Sequence, residues 1–202
     1  MRFITKSFKN GAIVLRSDEH SRLLQEIYEI IQGISEDDIK IKHESRHAGC
    51  KSLSPAINDL LKERFVASGW AAESPIFQDD DFTDNKWRLD FAKESISVEV
   101  GFNHGEAIAW NLLKPVLASE QNHIRKAIQT EAGVLICATK DLKIAGGFDS
   151  AVGEYEKICR YLIPLDRILT VPMLIVGLKA PETFKIVHEQ IGNKKIGRII
   201  SI

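Results

Sequence analysis

Two acidic residues nine positions apart, Asp90 and Glu99, have the spacing for joint chemistry. Each falls in a short strand-like run, about Lys86 to Ala92 and Ile96 to Phe102, and the polar Lys93-Glu94-Ser95 between them predicts a hairpin. The strand period of two sends Ile96, Val98 and Val100 to one face and Ser97, Glu99 and Gly101 to the other. Glu99 is thus an acid on a strand whose opposite face is wholly apolar, and a short hairpin brings Asp90 beside it. Like charges a few ångströms apart disfavour joint ionisation, so two such carboxylates call for a cation between them. Their oxygens suit a hard ion such as Mg²⁺, which keeps several waters and takes one or two carboxylates plus phosphate oxygens. An ion held there polarises a phosphoryl oxygen and lowers the pKa of a bound water. Spacing alone does not separate this reading from a solvated acidic pair.

The elements around the hairpin follow from periodicity and punctuation. Ser17 is a candidate cap for a helix with Leu23, Leu24, Ile27 and Ile31 on one face, and Gly33 suits its end. Ile39 to Lys42 alternates like a short strand, and the polar, basic stretch His43 to Leu53 reads as an exposed loop. Ser54-Pro55 opens a second helix, with Ile57, Leu60, Leu61 and Phe65 at helical spacing before Gly69. An acidic turn, Asp79-Asp80-Asp81, precedes the hairpin. Gly105 to Ile128 has helical composition, with Pro115 predicting a break near Lys114. Gly133 to Thr139 is a buried strand, Asp141 to Ser150 a glycine-containing loop, and Val152, Tyr155, Ile158, Cys159 and Leu162 share a face of a third helix. Met173 to Leu178 is another apolar strand, and Phe184 to Ile202 is expected to add edge strands. The order predicts an α/β fold, a mixed central β-sheet flanked by helices.

Bulk properties set the frame. A chain of 202 residues, 44% hydrophobic and without a long polar tract, can bury a sizeable core, and residues 1–202 are expected to form a single domain. Its 27 basic side chains nearly balance 28 acidic ones, so a polyanionic partner must be met by local segregation of charge. Cys50, Cys137 and Cys159 have neither CxxC spacing nor an even count, which argues against a disulfide framework or a zinc site and for a reducing compartment. Met1 to Asn10 has no apolar run long enough for a signal peptide or a membrane span, so a cytoplasmic location is expected.

The segment Leu89-Asp90-Phe91-Ala92-Lys93-Glu94-Ser95-Ile96-Ser97-Val98-Glu99-Val100-Gly101-Phe102-Asn103 resembles the active-site hairpin of the BglII group of type II restriction endonucleases, within the PD-(D/E)xK nuclease superfamily. The Leu-Asp-Phe start, the acid spacing and the Val-Glu-Val core carry the resemblance. The Ser52-Leu53-Ser54-Pro55 entry with Asn58 and Lys62, and Val171-Pro172 with Val176-Gly177-Leu178, add to it. It implies an αβββαβ core, Asp90 and Glu99 as ligands of Mg²⁺, and the Val100 carbonyl as a third. The superfamily usually has lysine two positions after the glutamate, where this chain has Gly101. Lys93, His104 and Glu106 are the neighbours that could reach the site in its place.

The same resemblance points to double-stranded DNA as substrate, with cleavage of both strands at a short palindrome. Asn103 and His104 are the first candidates for base contact, since Asn pairs bidentately with adenine and His donates to base acceptors. An equally good reading of Asn103-His104-Gly105 is a strand end and helix cap. Ser150, in the Gly146-Gly147-Phe148-Asp149-Ser150 loop, is a second candidate, although Asp149 or Ser150 also suits the cap of the helix that follows. Lys51 and Arg46 supply charge for phosphates. The apolar segment Ala107 to Leu117 is the expected surface of a homodimer, whose two-fold axis would match that of a palindrome. A cognate DNA methyltransferase is expected in a neighbouring gene. The alternatives are a repair or structure-specific nuclease of the same fold and a non-catalytic DNA-binding relative.

Overall fold

Two continuous apolar runs need cover on both faces, and they form the centre of the sheet. The computed structural model describes residues 1–78, 85–120 and 125–202. The strands of the main sheet are β1 (Phe3–Phe8), β2 (Ala71–Pro75), β3 (Arg88–Lys93), β4 (Ile96–Gly101), β5 (Ala132–Ala138) and β6 (Met173–Leu178). Among the described residues they lie in the order β1-β6-β5-β4-β3-β2. The pairs β4/β5 and β5/β6 are parallel, and the pairs β1/β6, β2/β3 and β3/β4 are antiparallel. The mixed α/β expectation holds.

Helices cover both faces. They are α1 (Gly11–Val14), α2 (Ser21–Gly33), α3 (Glu36–Arg46), α4 (Ser54–Ala67), α5 (Ala107–Ser119), α6 (Lys140–Ala145) and α7 (Tyr155–Tyr161). Along β5, Val134 and Ile136 join one core with Leu23, Ile27 and Ile31 of α2 and Ile57, Leu61 and Phe65 of α4. Leu135 and Cys137 join the opposite core with Ile108, Leu112 and Val116 of α5 and Ile158 of α7. Ile96 and Val98 belong to the first core, so Glu99, of opposite parity, faces the α5 side.

Several expectations need correction. Ile39 to Lys42 is helical, not a strand: Ser35 and Asp38 form a reciprocal capping box, and Ile39 and His43, four apart, are the buried side chains of α3. The expected loop His43 to Leu53 is therefore helical as far as Arg46. The first long helix starts at Ser21 rather than after Ser17, and neither its N-cap His20 nor Ser17 caps it by side chain. Pro115 does not break α5, which runs on to Ser119. Its ring packs on Gly133 of β5, where a Cβ would lie only 3.0 Å away. Lys140–Ala145 is a helix capped by Thr139, not part of a loop, and the third helix begins only at Tyr155. The turn at Asp79-Asp80-Asp81, and residues 121–124 of the expected helical stretch, lie outside the described residues.

The tail adds no strand to the main sheet. Its strands β7 (Phe184–Ile191) and β8 (Lys194–Ser201) pair with each other as a separate ribbon. The outer edge of β6 is already taken by β1, in register from Phe3 opposite Leu178 to Phe8 opposite Met173. The ribbon instead docks by Phe184 and Ile186 on the first core and by His188 on the carbonyls of Lys51 (3.1 Å) and Gly147 (3.2 Å).

Candidate active site

The backbone ladder between β3 and β4 runs from Lys93 opposite Ile96 to Phe91 opposite Val98 and stops there, although both strands continue. Beyond it, side chains take over. The Asp90 carboxylate accepts from the Val100 N–H at 2.7 Å, and the Glu99 carboxylate accepts from the Asp90 N–H at 3.3 Å. Each acid therefore caps the backbone of the other strand, which fixes both on the same side of the hairpin. In an extended strand the N–H and C=O of one residue project to one edge, so the Val100 carbonyl faces the Asp90 side as well.

Both carboxylates meet one cation, and it is the Lys114 ammonium. It ion-pairs with Glu99 Oε2, lies 3.8 Å from Asp90 Oδ1 and donates to the Arg88 carbonyl at 3.1 Å. The Glu99 side chain is 0% exposed, against 33% for Asp90 and 9% for Lys114. Burying a carboxylate costs several kcal/mol unless charge and hydrogen bonds compensate it (about that order). Burial, then the Asp90 charge, pushes the Glu99 carboxyl well above its ordinary range, against the pull of Lys114. Burial likewise raises Asp90, opposed by Lys114 and the Val100 N–H.

The raised Asp90 carboxyl has a consequence for stability. A group whose folded pKa is raised contributes fully below its unfolded value, about 3.9 for Asp, and loses that contribution as pH rises through the folded value. In the absence of divalent ions, Asp90→Asn is expected to melt above the wild type at neutral pH. The two melting temperatures should converge as pH falls toward about 4. Calorimetry on both proteins across that range checks this, and equal melting at neutral pH would contradict it.

Asp90 and Val100 line a cavity of about 240 Å³ together with Asn58 and Lys62 of α4, Glu73 of β2, Phe91 and Asn103. Glu73 holds a left-handed backbone (φ 51°) inside an edge strand, and its charge also raises Asp90. A larger groove of about 690 Å³, lined by residues such as Phe3, Glu36 and Glu182, is remote from the hairpin. Its acids already have partners, Glu36 at Thr183 and Glu182 at Arg2. Among the described residues, Glu19, His20 and Glu131 are the three potential ligands whose donor atoms lie within 4.8 Å of one another, and none belongs to the hairpin.

The expected DNA-reading residues assemble in part. Gly105 N–H donates to the Ala151 carbonyl (2.7 Å), and Gly153 N–H to the Asn103 carbonyl (3.1 Å), with His104 bridged to Val152. The segment after the hairpin and the Gly146 to Gly153 loop are thus joined, and Asn103, His104 and Ser150 are all exposed. Lys51 reaches the same loop through Asp149 at 2.9 Å. The Ala151 N–H, then Lys51, hold the Asp149 carboxyl down at about 2. Neither Asp149 nor Ser150 caps α7, whose N-cap is Glu154, and α5 is entered at Glu106 without a side-chain cap. Arg46 is exposed at the end of α3, and among the described residues no hydrogen bond or ion pair joins it to this cluster.

Lys93, a candidate substitute for the absent lysine, is turned away, with its ammonium on Glu26 and the Ser68 carbonyl. His104 and Glu106 are exposed. The residue that does reach the acids, Lys114, had a legible signal: Asn111 and Lys114 are polar positions three apart in the otherwise apolar run Ala107 to Ala118. On that helix Leu112 is fully buried in the protein's own core, while Ala109, Trp110 and Leu113 are half-buried.

Comparison with known proteins agrees with this geometry. The chain is similar over its whole length to the crystal structure of restriction endonuclease BglII complexed with a DNA 16-mer, at 18% identity, TM-score 0.71 and 100% of both chains covered. It is similar to free BglII at 17% identity, TM-score 0.62 and the same coverage. No curated protein sequence matches. The family model for restriction endonuclease BglII/BglIII matches residues 3–178, nearly the whole chain. The mixed sheet, the carboxylate hairpin of β3 and β4 and that match lead to one conclusion: the chain belongs to the BglII/BglIII restriction endonuclease family and is a type II enzyme that cuts DNA at a specific site.

Proposed function

We propose that this endonuclease hydrolyses phosphodiester bonds in both strands of a short palindromic DNA site, with Mg²⁺ held by Asp90, Glu99 and the Val100 carbonyl. The observation that carries the proposal is the convergence of two carboxylates, one wholly buried, on a single cation beside an open cavity. The donor set fits: hard oxygens, one half-buried carboxylate that lines the cavity and room left for water and phosphate. When bound, the ion polarises a phosphoryl oxygen and lowers the pKa of a water. The chain does the positioning. Val100 N–H orients Asp90, and Asp90 N–H orients Glu99. Lys62 and Asn103 line the same cavity, which supports contact with the phosphate backbone and the bases there.

Base reading falls to Asn103, His104 and Ser150, on the two joined segments, and phosphate contact to Lys51 and Arg46. Lys51→Ala is expected to weaken binding to all sequences alike and to reduce the slope of log K against log salt by about one unit. Titrations of specific and nonspecific duplexes at several salt concentrations check this, and an unchanged slope would remove Lys51 from the interface. A homodimer places one hairpin on each strand, with the half-buried Ala109, Trp110 and Leu113 of α5 as its surface. The chain works as one catalytic domain over residues 1–202, since the β7–β8 ribbon rests on the core of the rest. Its setting is the cytoplasm, where a cognate methyltransferase protects the host's own copies of the site. Among the described residues no helix is long and apolar enough to cross a membrane.

A digest of unmethylated phage DNA tests the proposal. Discrete fragments with Mg²⁺ and intact DNA with EDTA are expected. Fragments that persist in EDTA would remove the metal, and a smear would remove the palindrome.

A further inference from the structure

We propose that Lys114 is a positioning residue of this site, its ammonium setting the charge and spacing of the Asp90 and Glu99 carboxylates from a helix instead of from the strand that carries the glutamate. The inference rests on the reading of those acids as metal ligands. Position 101, two residues past Glu99 on the same face, has no side chain. A Cβ there would lie 3.2 Å from Asn111 Nδ2 and 3.3 Å from Leu135 Cδ1, so α5 covers that place. One helical turn beyond Asn111, Lys114 stands over the acids. Its ammonium touches Glu99, lies 3.8 Å from Asp90 and is anchored on the Arg88 carbonyl at 3.1 Å.

This placement has two opposed effects. The ammonium compensates a carboxylate with no access to water and fixes which Glu99 oxygen faces Asp90, so its loss misaligns the pair. It also adds positive charge where a divalent ion enters, so it weakens the hold on that ion. A merely structural clip, tying α5 to β3 through Arg88, has a different signature: removing it loosens the site and weakens ion binding and cutting together.

The test uses two neutral variants of the full chain, Lys114→Met, which keeps the packing of the side chain, and Lys114→Gln, which keeps a donor for the Arg88 carbonyl. Mn²⁺ binding to DNA-free protein is measured by calorimetry, and single-turnover cleavage is measured on the DNA that the wild type cuts. We expect Mn²⁺ to bind roughly tenfold more tightly, from removal of one adjacent positive charge. We expect cleavage to slow by about 100-fold, the usual cost of a misplaced catalytic constellation. Weaker Mn²⁺ binding, or unchanged cleavage, in a variant that melts cooperatively overturns the proposal; if one variant does not fold, the other decides. A wild type that binds Mn²⁺ and cuts, beside variants that do both equally well, defeats the role of Lys114 alone. A wild type that neither binds nor cuts defeats both readings.

Discussion

Asp90→Asn is expected to bind the recognition site and leave it intact. The substitution removes the carboxylate that is open to the cavity while keeping the oxygen that accepts from Val100 N–H at 2.7 Å, so the hairpin retains its shape. What is lost is charge. A neutral amide is a poor ligand for a hard divalent ion, and Glu99, wholly buried, cannot hold the ion at the cavity by itself. Single-turnover cleavage should fall by at least roughly a thousandfold, the scale on which electrostatic stabilisation of phosphoryl transfer is lost. Gel-shift affinity for the same DNA in Ca²⁺-free buffer should be equal or better, because a negative charge near the phosphates has gone. Loss of binding together with cutting would mean that Asp90 supports the fold or the interface instead of the chemistry.

Gly101→Lys, which writes the usual superfamily lysine back into the strand, is expected to damage the enzyme. The new Cβ meets the side-chain ends of Asn111 and Leu135 at 3.2 and 3.3 Å, so both must give way, and the rest of the lysine needs further room between α5 and the sheet. Overpacking of this kind, with a second ammonium brought into a buried site, costs about 3 kcal/mol or more. Any shift of α5 to make that room also withdraws Lys114 from Glu99. Denaturant unfolding and a cleavage assay read both effects. A variant as stable as the wild type and at least as fast would show that position 101 is open and that α5 plays no part in the site.

These two residues show where sequence suffices and where it does not. The hairpin was legible because strand parity and acid spacing are local, and a local ladder from Lys93–Ile96 to Phe91–Val98 puts Asp90 and Glu99 on one side. β5, β6 and α4 were legible for the same reason: each carries its own period, and Pro55 marks the start of α4. Lys114 stood out only as a polar position in an apolar helix; its role was not legible, because that depends on how closely α5 approaches β4, an approach for which Gly101 and Gly133 leave room beside Asn111 and Pro115. The run Ile39 to Lys42 shows a failure of another kind. Four alternating residues fit a strand, yet the Ser35–Asp38 capping box just upstream and the acids of the first turn outweigh that short period. The fate of the tail was nonlocal too, since nothing near Phe184 reveals that β1 has already closed the edge of β6. The cluster proposed to face DNA lay between these cases. Asn103, His104 and Ser150 were singled out by their polarity and by the family resemblance, while the link between their segments through Gly105 and Gly153 came only with the fold.

The most direct measurement is a crystal of the DNA complex grown with Mn²⁺ and recorded at the manganese absorption edge. An anomalous peak about 2.1 Å from an oxygen of both Asp90 and Glu99 is the expected result. A map with no peak between those two carboxylates, or with one only at Glu19, His20 and Glu131, would contradict it.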